Sequence, residues 1–171
     1  MEAFIQANAQ PPWSTYGGKY SIVEKIFQQQ LVSPNFNYQR GIPEFDRCIN
    51  EKNASEIIRM IILRNGYYLQ LNSTSINAVC LFHQNELQKI EIDAFKVKLN
   101  NREKLDAYLT LSIGLVDKIR CFITAGNYEK TVIFFQQRSF NNKFELTIDP
   151  NPPLEQIKLV NILSEFGKPG K

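Results

Sequence analysis

Short apolar stretches, each bounded by turn residues, fill the chain between residues 67 and 148. Stretches of that length and alternation fit strands of a sheet better than helices. They also come in two sets. VCLFHQNELQKIEI at residues 79 to 92 has a counterpart in VIFFQQRSFNNKFEL at residues 132 to 146. At an offset of 53, Val79, Phe82 and Gln84 coincide with Val132, Phe135 and Gln137; after one insertion, Lys89 and Glu91 coincide with Lys143 and Glu145. The pattern predicts strands at 67–71, 78–82 and 89–99 in the first copy, and at 119–124, 131–136 and 143–148 in the second.

Each triplet runs into a helix-start signal. Asn100-Asn101-Arg102-Glu103 offers an N-cap side chain and a capping-box acid, and Asn151-Pro152-Pro153 offers a cap followed by proline at the first helical position. A third signal, Asn53-Ala54-Ser55-Glu56, precedes IIRMIILRNG, where Ile57, Ile58, Ile61 and Ile62 fall at helical spacing and Asn65-Gly66 gives a stop. The expectation is an α+β fold: a mainly antiparallel, curved sheet of about six strands built from a duplicated βββα unit, preceded by helices and an extended N-terminal arm. Within 89–99, Ile90 and Ile92 alternate on one parity while Phe95, Val97 and Leu99 take the other, which predicts a bulge or bend near Asp93-Ala94.

The first fifty residues have a different character. ANAQPPWSTYGGKY reads as an extended arm, because Pro11-Pro12 forbids regular helix and Gly17-Gly18 marks a turn. SIVEKIFQQQLV reads as a short amphipathic helix and SPNFNYQRGIP as a loop. Residues 1–52 are thus expected to form the arm and short helices, and residues 53–171 the sheet domain, packed together as one compact domain at a total of 171 residues.

Chemistry-bearing residues are scarce. His83 is the single histidine, and Cys80, three residues earlier, points to the opposite side of a strand, so the pair does not make a nucleophile and base. The GGKY of STYGGKYS lacks the leading glycine and the hydroxyl of a phosphate loop. Glu91 and Asp93 share a strand face with Lys89, which reads as a salt-bridged surface rather than a paired acid site. Cys48, Cys80 and Cys121 are odd in number and lack CxxC spacing, so neither a disulfide framework nor a zinc site is encoded. No cofactor or metal is expected, and the balance is against an enzyme.

The formal charge of +3, from 20 basic and 17 acidic residues interspersed along the chain, excludes a basic tail or stripe. The start MEAFIQANAQ lacks a signal-peptide pattern and no apolar run has bilayer length, so a soluble protein of a reducing, intracellular compartment is expected, away from membranes. Two binding functions come ahead of the third alternative, an enzyme with a site assembled from scattered residues. One is a non-catalytic binding or assembly component that engages a protein partner or its own copies through the arm and one sheet face, with Trp13, Tyr16 and Tyr20 as anchors. The other is a single-stranded nucleic-acid-binding module in which aromatic side chains stack on bases and adjacent cations meet phosphates. Its candidates are Tyr67 and Tyr68 near Arg64, Phe122 beside Arg120, Tyr128 beside Lys130, and Phe140 between Arg138 and Lys143.

Overall fold

In the computed structural model, residues 2–6, 13–21, 31–50, 56–72, 77–99, 102–139 and 144–149 are described. Among them, nine strands form one sheet: β1 Glu2–Gln6, β2 Phe36–Arg40, β3 Ile57–Ile62, β4 Gly66–Asn72 and β5 Asn77–His83; then β6 Leu87–Leu99, β7 Arg102–Ile113, β8 Asp117–Ile123 and β9 Glu145–Asp149. Two α-helices are described, α1 Pro43–Asn50 and α2 Ala125–Ser139, with 3-10 turns at Trp13–Tyr16 and Gln84–Glu86. The fold is mixed α+β and the sheet mostly antiparallel; only β6 and β9 pair in parallel.

Strand order forces the sheet to curl. It runs β1-β5-β4-β3-β2-β8-β7-β6-β9, so β5 and β6 stand six spacings apart although a three-residue turn joins them. Six spacings in a flat sheet are roughly 29 Å, whereas the chain from His83 to Leu87 reaches about 15 Å at most. Only a sheet bent round on itself satisfies both. Its concave face carries the main core, in which Phe36, Ile58, Leu69, Phe82, Ile92, Leu109 and Cys121 from successive strands meet Phe134 and Phe135 of α2. Helix α2 packs there against β7 and β9, and its first free N–H, that of Ala125, donates to Asp106 Oδ1 on β7 at 2.6 Å. That carboxylate does the work of an N-cap from another element.

Several sequence expectations give way. The predicted helix over IIRMIIL is β3, because Ile58 and Met60 point into the core while Ile61 packs on the convex side. A strand apolar on both faces imitates helical spacing. The predicted helix after Asn100 is β7, where Ala107, Leu109, Leu111 and Ile113 are buried at strict alternation. That period of two outweighs the Asn-x-x-Glu cap signal. Residues 131–136, expected as a strand, lie inside α2: Thr131, Phe134 and Phe135 are buried and Tyr128 and Val132 pack on the same core, which is helical spacing. The second copy therefore lacks its middle strand, and the duplicated βββα plan does not describe this sheet.

The bulge is displaced as well. β6 and β7 pair without interruption through Asp93 and Ala94, and the register shifts between Leu87 and Lys89 instead. Both phases of β6 find cover: Ile90, Ile92 and Ala94 lie in the concave core, and Phe95 is buried on the convex side against Tyr108 and Phe122. Within the expected loop SPNFNYQRGIP, residues 36–40 form β2, and ahead of the segment read as an arm residues 2–6 form β1, paired with β5. The predicted helix over SIVEKIFQQQLV falls largely, and that at Asn151 wholly, outside the described residues. No helix among the described residues is long and apolar enough to cross a membrane.

Candidate functional site

The convex face divides into two halves. Over β3, β4 and β5 the N-terminal segment lies on its own sheet: Tyr16 is 3% exposed and packs with Leu63, Tyr68, Val79 and Leu81. Its ring stacks on His83 at 4.4 Å between centroids, and its carbonyl accepts from Asn65 N at 3.1 Å. Gly66 makes this docking possible, since a Cβ there would lie 2.9 Å from the Tyr16 ring and 2.5 Å from Phe82 O. Lys19 sits over the Tyr68 ring at 5.9 Å. Arg59, also on this half, donates from Nε and Nη2 to Gln70 Oε1 at 3.1 and 2.8 Å.

The other half, over β2, β8, β7 and β6, is built in rows by strand register. One row reads Asn37, Phe122, Tyr108, Asp93; the next reads Arg40, Arg120, Thr110, Glu91; a third reads Lys118, Ser112, Lys89. Phe122 and Tyr108 meet edge to face at 5.8 Å, and buried Phe95 underpins both, at 6.2 and 5.4 Å. The Arg120 guanidinium lies 4.3 Å from the Tyr108 ring centroid, a cation–π contact. Its Nε is hidden from solvent and has no hydrogen-bond partner among the described residues. Arg40 and Arg120 are direct cross-strand partners, an arrangement in which like charges repel.

The backbone is shaped to hold Arg40 there. The register shifts between Tyr38 and Arg40, placing an extra residue, Gln39, in β2. Gly41 follows at φ 119°, and a Cβ on it would lie 2.1 Å from Lys118 O, so glycine alone lets β2 approach β8 this closely. Asp46 of α1 fixes the turn: its carboxylate accepts from the Tyr38 hydroxyl at 2.7 Å and from Gly41 N at 3.1 Å. Ile42 N in turn donates to the Tyr38 hydroxyl at 2.7 Å. Burial, with the Asp46 hydrogen bond next, pushes the Tyr38 phenol well above its ordinary value, so it stays a neutral donor.

Of the sequence candidates, the structure sets Arg120 and Phe122 together on the convex face, places Arg138 within electrostatic reach of Tyr67 and Tyr20, and disperses the rest. Tyr67 faces the concave core, its hydroxyl buried without a partner among the described residues. Tyr68 lies under Lys19 on the covered half. Arg64 is exposed at the β3–β4 turn, Tyr128 packs on the core from α2, Lys130 is exposed on α2, and Arg138 lies over Phe134 at 5.7 Å. Phe140 and Lys143 fall outside the described residues. So does the side chain of Trp13, whose backbone forms the 3-10 turn; Tyr16 is buried as above and Tyr20 is partly exposed. Sequence reasoning missed Arg40, Lys118, Phe95 and Tyr108. Tyr108 was legible as the residue between buried Ala107 and Leu109, had the segment been read as a strand.

The thiols and the histidine stand apart. Cys80 and Cys121 are buried free thiols whose ionisation desolvation opposes, and His83 faces Tyr16 on the convex side, away from Cys80. Among the described residues no cluster of three or more His, Cys, Asp or Glu has metal-holding geometry. An open cleft of about 590 Å³ lies between the start of β7 and the start of α2, lined by Glu103, Lys104, Leu105, Tyr128 and Glu129, without a histidine or thiol. No family model, no curated protein and no solved structure matches this chain.

Proposed function

We propose that the protein is a non-catalytic binding component whose partner docks on the convex face of β2, β8, β7 and β6. The observation that carries this is the Phe95–Tyr108–Phe122 ring cluster with Arg120 and Arg40 beside it, on the half of the face that the described N-terminal segment leaves bare. Partly exposed rings and arginine over a buried aromatic base are the composition of binding hot spots. The reading moves the contact from the arm to the sheet, since Tyr16 is already committed to Leu63, Tyr68 and His83.

A photo-crosslinking residue in place of Thr110, at the centre of this half, tests it in cells that make the protein. Adducts are expected from position 110 and not from Arg47, exposed on α1, and they should vanish with Arg120→Glu. Equal adducts at both positions, or none at 110, would overturn the proposal.

A further inference from the structure

We infer that the occupant of this surface is a single-stranded nucleic acid; the inference rests on the reading of the open half as the binding face. Charge carries the first part. Lys118 and Arg40 are exposed and Arg120 partly so, and among the described residues none of the three is in an ion pair. Arg40 and Arg120 face each other across β2 and β8, a repulsion that a multiply charged phosphate backbone between them would turn into attraction.

Ring geometry carries the second part. Phe122, Arg120 and Lys118 occupy alternate positions of β8, about 7 Å apart on one face, so an aromatic site and two phosphate sites follow one another along a single strand. Asn37 beside Phe122 offers an amide to a base edge, and Thr110 and Ser112 offer hydroxyls beside the cations. A duplex keeps its bases stacked and out of reach of such rings, whereas a single strand presents them. Acidic groups set the boundary, since the rows that begin at Arg40 and Asn37 reach Glu91 and Asp93 on β6 before passing to β9, and Lys89, the β6 residue of the third row, is engaged by Glu91 at 2.9 Å and by Glu145 of β9 at 3.9 Å. A polyanion is therefore guided along β8 and β2 rather than across to β6.

The test is fluorescence anisotropy of labelled single-stranded DNA, single-stranded RNA and the corresponding duplex, titrated with the full chain at low and at near-physiological salt. Single strands should bind, with the DNA and RNA arms showing which sugar is preferred, and binding should weaken as salt rises. Phe122→Ala should weaken it about tenfold, and Arg40→Gln and Arg120→Gln should each lower the salt slope by about one. Phe122→Leu keeps apolar volume without a ring face; its loss of binding with an unchanged melting curve separates stacking from folding. Arg47→Gln should change nothing. No binding at low salt, equal binding of the duplex, or indifference to both Phe122 substitutions would overturn the inference. A nuclease-resistant, protein-containing adduct at position 110 with no oligonucleotide binding would retire the nucleic acid and leave the binding face standing; absence of any adduct would retire both.

Discussion

The two halves of the convex face hold the same kinds of ring and use them oppositely. Over β3, β4 and β5, Tyr16 and Tyr68 are set among Leu63, Val79 and Leu81, and the one arginine facing out of β3 is matched by the Gln70 carbonyl. Over β2, β8, β7 and β6, Phe122 and Tyr108 are set among Arg40, Arg120, Lys118, Thr110 and Ser112. Aliphatic neighbours make a ring part of a core, because together they remove a continuous apolar area from water. Cationic and hydroxyl neighbours keep the surrounding surface wet and leave the ring face available. What an aromatic residue on a sheet is for thus depends on the residues two positions away and across the ladder, not on the ring itself.

The sharpest way to break the contrast is at the glycine on which the open half depends. Gly41→Ala forces a Cβ against the Lys118 carbonyl at a φ that side chains rarely adopt, so a loss of at least about 3 kcal/mol is expected by urea denaturation. A variant as stable as the parent would show that β2 does not need its close approach to β8. Next comes Tyr16→Ala on the covered half. Removing a buried aromatic should cost about 3 kcal/mol, while binding of single strands to the folded fraction stays unchanged. If stability holds and binding falls instead, the N-terminal segment is part of the binding surface and the division between the halves disappears.

How much of this was readable beforehand follows from the same contrast. The expected strands at 67–71 and 78–82 lie within β4 and β5, and that at 119–124 overlaps β8 up to Ile123, where turns bracket the alternation closely. In β3 the period of two is masked because isoleucines stand on both faces, Ile58 and Ile62 toward the core and Ile57 and Ile61 outward, so that Arg59 alone marks the outer side. α2 was misread for a related reason: Val132, Ile133, Phe134 and Phe135 are consecutive, and the helical spacing emerges only when Tyr128 and Thr131 are counted with them. Its cap gave no local signal either, since the acceptor is Asp106, nineteen residues upstream. Arg120 and Phe122 could be singled out as neighbours in sequence. Arg40 and Tyr108 join them only through strand register, which is a property of the folded sheet.

On the open half itself, Phe122→Ala should separate function from folding. The ring is partly exposed and packs on Phe95 and Tyr108, so a loss of about 1 kcal/mol is expected, against about 3 for Tyr16. Losses of equal size on the two halves would mean that the open half is a second core with a cover of its own.

The smallest effect concerns the rim of the open half, where Asp106 is the register partner of Phe95. Desolvation raises the Asp106 carboxyl above its ordinary value, partly offset by the Ala125 N–H and by Lys104. In the folded protein this group therefore binds its proton more readily than in the unfolded chain. Linkage then requires its contribution to stability to decrease as pH rises through the window from the ordinary Asp value, about 4, to the raised one. Asp106→Asn keeps an oxygen to accept from Ala125 N and removes the titration, so urea denaturation across this range should show a flatter pH dependence in the variant. Equal slopes in the two proteins would mean that the helix cap compensates fully for burial. In that case the edge of the open half would be as insensitive to carboxylate titration as Tyr16, Tyr68 and their aliphatic neighbours are on the covered half.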